Sequence, residues 1–246
     1  HPDDEGPMLG TLAKHSLNHD QVKILWATKG ENWLFPLTSY KAFIYWFIKT
    51  RGDKKIKNIL TQIIGKIRSR ETKKVLSLIN AEGGFLGFHD GEIPSQNDFS
   101  AIHRIIKEIR TYKPTIVITH HFRVSHPDHK SLSRLVYQAF FLSGNEKVLS
   151  KVPAFQPKLL VWWDERGLGF KPNYFINVRS SIEIFRKWEK IYRSQSSRIV
   201  GQIPIIKTRL RSIKTPYNYV ERFQIVNMNE KSLYYSEFFP ELKKID

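Results

Sequence analysis

Two short motifs combine histidine with aspartate in this chain. His-Pro-Asp-Asp-Glu occupies residues 1–5, and His-Pro-Asp-His occupies residues 126–129. A catalytic zinc ion usually takes three protein ligands, from imidazole nitrogens and carboxylate oxygens, and leaves its fourth position to water. The two motifs together could therefore supply a metal site for hydrolysis, with one carboxylate left over to act as the base.

The expected metal ligands are His1, Asp4 and His129. In a His-x-x-Asp motif the first and fourth side chains can turn toward one point, while Pro2 stiffens the bend between them. His129 belongs to the second motif, which we place in a loop after a strand. Zn²⁺ suits this set of nitrogen and oxygen ligands, and Fe²⁺ is a second metal that could occupy it.

The remaining polar residues of the two motifs suggest catalytic roles. Asp3 stands beside a ligand without being needed as one, so we expect it to be the general base. His126, three residues before His129, is expected to stabilise an oxyanion or to protonate the leaving group. Asp128 is expected to orient a histidine by a hydrogen bond from behind it.

Simpler explanations exist for some of these residues. The acids of the first motif would also suit the N-terminus of a helix, where negative charge is favourable. His120 and His121 are better explained as residues at the end of a strand than as ligands. Two such motifs in one chain are less expected by chance than either motif alone.

Composition limits the classes of function. The 246 residues include no cysteine, which excludes disulfides, a thiolate nucleophile and a cysteine-type zinc site. Lys and Arg number 40 against 23 Asp and Glu, giving a net charge of +17. This excess favours anionic partners such as phospholipid headgroups, phosphorylated sugars or nucleic acid, but an ordinary solvated basic surface explains it equally well.

Short apolar runs alternate with segments of helical periodicity along the chain. This alternation predicts an α/β fold with a mostly parallel sheet, helices on both faces, and ligands beyond the carboxyl ends of the strands. Helices are predicted at Met8–Asn18, Ile63–Asn80, Phe99–Tyr112 and Lys130–Leu142, and strands at Val22–Thr28, Gly84–Phe88, Thr115–Thr119 and Lys158–Trp163.

The expected organisation is a single domain over residues 1–246. Because the chain begins inside a motif, we expect a first strand upstream of His1 that is missing from this chain. We identify no signal segment and no apolar run of the roughly 20 residues that cross a bilayer. The expected location is the cytoplasm, with attachment to a membrane surface as the alternative.

The motifs resemble those of the PIG-L (LmbE-like) N-acetylglucosaminyl deacetylases. Beyond the two His-Asp motifs, Arg68-Ser-Arg-Glu71 looks like the R-x-x-E helix of that family, and residues 85–91 (FLGFHDG) look like its strand end before Asp-Gly. Ser194-Gln195 and Glu221-Arg222-Phe223 are weaker similarities. The resemblance thus covers nearly the whole chain.

This resemblance implies a Rossmann-like three-layer sandwich and a zinc-dependent deacetylase. It implies His1, Asp4 and His129 as ligands, Asp3 as base and His126 as acid or oxyanion stabiliser. It also implies that Arg68 and Asp90 contact or frame the sugar. The substrate would contain N-acetylglucosamine and could be lipid-linked, a glycoside or polymeric.

An aromatic, basic insert is predicted at about residues 33–57. Its centre, Ala42–Ile48, is apolar and flanked by Lys and Arg, so residues 37–57 could form a lid, a foot on an anionic membrane, or a buried helix. The alternative to the enzyme is a basic protein that binds membrane surfaces or polyanions and whose metal site is inactive. We do not expect nucleic acid to be the partner, because the tryptophans lie in strand and helix patterns.

Overall fold

The structure is a computed structural model that describes residues 1–32, 52–163, 170–195, 203–213 and 215–226. Most of the predicted insert, residues 33–51, lies outside this part of the chain, so its role as lid, foot or buried helix stays a prediction. The chain divides into two compact units, His1–Gly91 with Val178–Tyr219 and Glu92–Asn177 with Val220–Asp246. The predicted single domain stays a prediction.

The elements alternate as the sequence predicts. The helices are α1 (Leu9–Leu17), α2 (Lys54–Leu78), α3 (Phe99–Tyr112), α4 (Pro127–Leu142), α5 (Ile182–Ile191) and α6 (Ile203–Arg211), with 3₁₀ turns at Gly6–Met8 and Arg179–Ser181. The strands are β1 (Lys23–Trp26), β2 (Glu82–Phe85), β3 (Ile116–His120), β4 (Leu159–Trp163), β5 (Tyr174–Asn177) and β6 (Val220–Val226).

The first unit contains a parallel pair of strands, β1 and β2, whose register joins Lys23 to Glu82 and Trp26 to Phe85. Gly83 is required in this pair because a Cβ atom there would overlap the carbonyl oxygen of Ile24. The strand was predicted to begin at Gly84. It begins earlier, at Glu82, because Gly83 has no side chain and so allows the two backbones to approach closely enough to pair.

The second unit contains a four-stranded sheet in the order β3-β4-β6-β5. The pair β3/β4 is parallel, whereas β4/β6 and β5/β6 are antiparallel. The predicted α/β class is confirmed, with sheets that are partly parallel. The core of this unit includes all five residues of β4, which are buried, and the isoleucines of α3 at positions 102, 105, 106 and 109.

Two helices begin earlier than their periodicity predicts. Asp53 caps α2, where its carboxylate accepts a hydrogen bond of 2.7 Å from the Lys55 amide. At α4, His126 is the N-cap and Pro127 occupies the first turn, a position that proline suits because its missing N–H has no partner there. His129 therefore lies in the first turn of a helix, and its predicted place in a loop is wrong.

Among the described residues, no helix is both long and apolar enough to cross a membrane.

Candidate metal centre

In the first unit, the imidazole of His1 lies between two carboxylates. Its Nδ1 atom is 3.1 Å from Asp4 Oδ2, and its Nε2 atom is 2.9 Å from Asp90 Oδ1. The His1 side chain is only 13% exposed. Two carboxylates on one mostly buried imidazole make a local environment that attracts a cation.

Asp90 is fixed by more than His1. Its second carboxylate oxygen accepts a 2.8 Å hydrogen bond from the Asn32 amide, and the Asn32 side chain donates to the Asp90 carbonyl. Burial works to raise the pKa of Asp90, but the hydrogen bond and charge of His1, the Asn32 amide and the Arg68 guanidinium outweigh it and lower that pKa. Asp90 is therefore an ionised carboxylate held against His1.

Asp3 has a backbone φ of +88°, which a residue with a side chain rarely adopts. Burial is the largest cause that raises its pKa well above the ordinary value, and the neighbouring Asp4 and Glu5 carboxylates raise it further. The charges of Arg68 and His1 lower it in part. A raised pKa makes a carboxylate a stronger proton acceptor than an ordinary aspartate.

Glu5 is a buried carboxylate that accepts hydrogen bonds from at least three donors. Its Oε1 atom accepts a 2.7 Å hydrogen bond from the Trp188 indole. Its Oε2 atom accepts bonds of 2.9 Å from the Trp26 indole and 3.1 Å from the Asp3 amide. Glu5 is 3% exposed, and it ties the strained backbone of Asp3 to strand β1 and helix α5.

The R-x-x-E residues of α2 face into the first unit. Arg68 is 3% exposed and donates from Nη1 to the carbonyl oxygen of Gly30. Glu71 accepts a 3.0 Å bond from the amide of Ser194 and a second bond from its hydroxyl. Arg68 thus brings positive charge toward Asp3 and Asp90, whose pKa values it lowers, while Glu71 joins α2 to the turn after α5.

In the second unit, His129 lies among other aromatic rings. It is 5% exposed, and its ring centroid lies 4.2 Å from that of His120 and 4.6 Å from that of His126. His120 is the last residue of β3, as expected for a strand end, and its ring also contacts Trp163 at 4.7 Å. The backbone carbonyl of His120 accepts a 2.6 Å bond from the Ser133 hydroxyl of α4.

His126 and Asp128 share a local hydrogen bond at the start of α4. The amide of Asp128 donates to His126 Nδ1 over 3.2 Å. His126 is exposed, whereas Asp128 is 2% exposed. Because Nδ1 accepts this bond, Nε2 is the ring atom of His126 that carries the proton in the neutral tautomer.

The distance between the side-chain atoms of His1 and Asp4 suits two ligands of one zinc ion. Two ligands of a tetrahedral zinc ion, each about 2.0 Å from it, lie about 3.3 Å apart. The 3.1 Å between His1 Nδ1 and Asp4 Oδ2 is close to this separation. With Nδ1 directed to a metal, Nε2 would stay on Asp90, the carboxylate–histidine arrangement that commonly orients zinc-binding imidazoles.

Sequence reasoning missed two residues of these clusters. Glu5 was taken only as part of an acidic helix start, and nothing in its spacing predicts that two distant tryptophans would donate to it. His120 was correctly placed at a strand end, but its contact with His129 was not foreseen. The contact could have been predicted from the order of the elements, because a side chain at the end of β3 can meet the first turn of α4, the next helix along the chain.

Comparison with known proteins gives one family and several structures. The profile of PIG-L, described as GlcNAc-PI de-N-acetylase, matches residues 1–140. The N,N'-diacetylchitobiose deacetylase of Pyrococcus horikoshii is 19% identical, with 94% of this chain and 85% of that chain covered and a TM-score of 0.73.

Two further structures share the fold. The 4-carboxy-2-hydroxymuconate hydratase of Pseudomonas putida KT2440 is 14% identical over 93% of this chain and 94% of its own, with a TM-score of 0.73. The zinc-inhibited form of a teicoplanin deacetylase is 17% identical over 94% and 97%, with a TM-score of 0.57. At these identities the likeness shows the fold alone, which carries a hydratase as well as deacetylases.

Proposed function

Because the chain belongs to the PIG-L family, as the resemblance of its motifs predicts, we propose that it is a metal-dependent hydrolase that removes the N-acetyl group from a substrate containing N-acetylglucosamine. The matched region, residues 1–140, includes both His-Asp motifs. The observation that carries the proposal is the convergence of His1 Nδ1 and Asp4 Oδ2 at 3.1 Å beside Asp3, a carboxyl group with a raised pKa.

The proposed metal is zinc, with Fe²⁺ as the alternative, and the proposed ligands are His1, Asp4 and His129. A bound zinc ion would lower the pKa of a coordinated water to about 7 and polarise the acetyl carbonyl. The chemistry of the donors supports this set, since two imidazoles and one carboxylate are a usual complement for a catalytic zinc.

Asp3 and His126 would carry out two different proton transfers. Asp3, placed by the backbone bond to Glu5, would accept a proton from the attacking water. His126 would donate from Nε2 to the oxyanion or to the leaving amine, because its Nδ1 accepts the Asp128 amide. The exposure of His126 supports contact with a substrate.

Arg68 and Asp90 are the proposed substrate-framing residues. Their contacts support an additional role for Asp90, which would orient His1 as the Asn32 bonds hold it in place. Arg68 would hold Gly30 and keep a positive charge near Asp3. Asp128 remains the proposed partner that orients a histidine of the second motif.

The proposed substrate is an N-acetylated amino sugar. The relatives' own substrates differ, so a glycolipid, a glycoside and a polysaccharide are all members of the class to be tested. The location that accompanies this proposal is the cytoplasm.

The test measures acetate release and metal content together. Metal-free protein is prepared with a chelator and reconstituted with one equivalent of Zn²⁺ or Fe²⁺, then incubated with N-acetylglucosamine glycosides, chito-oligosaccharides and N-acetylglucosaminyl phosphatidylinositol. We expect acetate and free amine in equal amounts from at least one substrate, only with metal. Excess zinc is titrated separately, since a zinc-inhibited form of a deacetylase with this fold is known.

Two results would refute the proposal. One is tight, salt-sensitive binding of polyanions by a protein that takes up no metal and releases no acetate, which is the behaviour expected of the basic binding protein. The other is full turnover by the metal-free protein.

A further inference from the structure

Helix α2 has a second apolar face that does not contribute to the core. Its buried side includes Ile64, Arg68 and Val75. At a different angle around the helix, four isoleucines are exposed by 38% to 51%: Ile56, Ile59, Ile63 and Ile67. We call these four residues the isoleucine face.

The spacing of the isoleucine face makes it continuous. Successive members are three, four and four residues apart, so they lie in one row along the helix. From Ile56 to Ile67 this row extends about 17 Å at 1.5 Å per residue. Single exposed isoleucines are common on protein surfaces, but a continuous row of this kind marks an interaction surface.

The charges around this face are mostly positive, the exception being the exposed N-cap Asp53, three residues before Ile56. The exposed ionised side chains of α2 are all cations, at Lys54, Lys55, Lys66, Arg70, Lys73 and Lys74. The helix has one acidic residue, Glu71, which is 7% exposed and bonded to Ser194. On a helical wheel, Lys66 borders the isoleucine face on one side, and Arg70 and Lys74 continue its line toward the C-terminus.

We propose that α2 binds the surface of an anionic phospholipid bilayer, with the isoleucine face at the boundary between headgroups and acyl chains and the bordering cations on lipid phosphates. A helix with an apolar row whose exposed charges, apart from the N-cap Asp53, are all cations fits the pattern of a helix that lies on an anionic membrane surface. Each basic residue near such a surface adds to binding through the negative surface potential.

Charge complementarity decides between possible occupants of the face. A second copy of this chain would bring its own cations against those of α2, and like charges at an interface are unfavourable. Nucleic acid would use the cations but would leave four isoleucines in water. An anionic bilayer satisfies both the isoleucines and the cations.

This inference goes beyond the deacetylase proposal and does not depend on it. The adsorption of the full chain to vesicles is measured without substrate or metal. The surface is also distinct from the predicted insert at 37–57, because most of it lies in the part of α2 after residue 57.

The experiment compares the full chain on vesicles of phosphatidylcholine alone and of phosphatidylcholine mixed with phosphatidylglycerol. The variants are Ile59→Gln/Ile63→Gln, which keeps helix propensity, and Lys66→Gln/Arg70→Gln. The matched controls are Leu17→Gln/Phe99→Gln, whose parent side chains are 71% and 68% exposed outside α2, and Lys147→Gln/Lys151→Gln, which removes the same charge elsewhere.

We expect the parent chain to partition onto the anionic vesicles and not onto phosphatidylcholine alone. Removing Lys66 and Arg70 should weaken partition about fivefold per charge. The isoleucine double variant should weaken it about tenfold or more. Both controls should bind as the parent does, after a small uniform correction for charge in the lysine pair.

Four results would overturn the proposal. The parent could fail to bind anionic vesicles, or the α2 variants could bind as well as their controls. The isoleucine variant could lower Tm strongly, which would mean that another part of the chain covers the face. A parent dimer that this variant dissociates without lipid would assign the face to a second copy instead.

Discussion

Asp3 combines an unfavourable backbone conformation with a position beside the proposed metal ligands. A residue with a side chain held at φ +88° costs about 1–3 kcal/mol relative to a relaxed backbone. Such a conformation persists where surrounding contacts over-determine it, and here the Asp3 amide donates to Glu5, which is itself held by Trp26 and Trp188. We infer that these hydrogen bonds to Glu5 set the position of the Asp3 carboxylate.

Replacing Asp3 with asparagine separates catalysis from metal binding. The amide keeps the shape of the side chain but cannot accept a proton, so kcat for acetate release should fall about 10²- to 10⁴-fold. Metal content, measured by mass spectrometry of the elements, should stay at that of the parent. Asp20→Asn is the matched control, because Asp20 is an exposed acid outside the cluster.

Equal turnover by Asp3→Asn and the parent would refute the role of Asp3 as the general base. Loss of metal by this variant would instead make Asp3 a ligand.

The Glu5→Gln variant tests whether the hydrogen bonds of Glu5 position Asp3. A glutamine oxygen can accept from only one side, so its NH₂ group must face an N–H donor, either the Trp188 indole or the donor pair of Trp26 and Asp3. We expect kcat to fall about tenfold or more from misplacement of Asp3, with KM and metal affinity unchanged. Steady-state kinetics and a metal competition titration measure the three quantities.

The double variant Glu5→Gln/Trp188→Phe gives the control. It removes the indole N–H that would oppose the glutamine NH₂, so part of the lost kcat should return. If kcat per folded molecule is unchanged in Glu5→Gln while only Tm falls, Glu5 stabilises the fold and does not position Asp3.

The sequence predicts the residue types of the proposed site better than their contacts. His1 and Asp4 are three residues apart, and local geometry alone brings His1 Nδ1 to Asp4 Oδ2. The contact of His1 with Asp90 joins residues 89 positions apart and depends on the pairing of β1 with β2. Short-range chemistry is therefore readable from spacing, whereas long-range partners require the fold.

At the scale of elements, periodicity locates helices but caps determine where they begin. The isoleucines of α3 follow the predicted rhythm, and its bounds, Phe99–Tyr112, match the prediction. Helix α2 begins nine residues before its predicted start, because Asp53 caps it and its first turns carry an exposed apolar row. Strands β5 and β6 were not predicted, since charged and polar residues interrupt the apolar pattern and Glu221 is nevertheless buried.

Arg110 of α3 holds the connection between α4 and β4. The side chain is 1% exposed and donates to four carbonyl oxygens, those of Ser143, Asn145, Leu149 and Val152, over 2.7 to 3.0 Å. Arg110→Ala would leave these acceptors without their charged donor and open a cavity. The free energy of unfolding should fall by about 3–5 kcal/mol, as measured by urea denaturation.

Arg104→Ala provides the comparison for this prediction, because Arg104 is an exposed arginine on the same helix. It should change the unfolding free energy by less than about 0.5 kcal/mol. A loss of similar size in both variants would mean that the four carbonyl contacts do not stabilise the connection.

At the scale of the whole molecule, alternation of strands and helices predicts the α/β class but not the direction of every strand. The parallel pairs β1/β2 and β3/β4 follow from strand-helix-strand segments. The antiparallel pairing of β6 with β4 and β5 joins residues from distant parts of the chain, which short-range patterns do not encode. The net charge of +17 is explained equally well by anionic partners and by an ordinary basic surface, and only the structure of helix α2 identifies residues proposed to contact an anionic partner.

Metal binding should also stabilise the whole fold, which gives a test that needs no substrate. A ligand that binds only the native state adds about 2.7 kcal/mol when its free concentration is 100 times Kd. For a chain of this size, each kcal/mol raises Tm by about 2–4 °C. Buffered Zn²⁺ should therefore raise Tm by about 5–10 °C over chelator in scanning calorimetry.

The same measurement distinguishes a ligand from a base within one motif. Asp4→Asn should lose most of the rise in Tm, because the amide is a poor zinc ligand, whereas Asp3→Asn should keep it. Since the two residues are adjacent and each variant replaces a carboxyl group with an amide, a difference between them points to direct coordination by Asp4. An equal rise in both variants would refute Asp4 as a ligand, and no rise in the parent would refute a metal site in this chain.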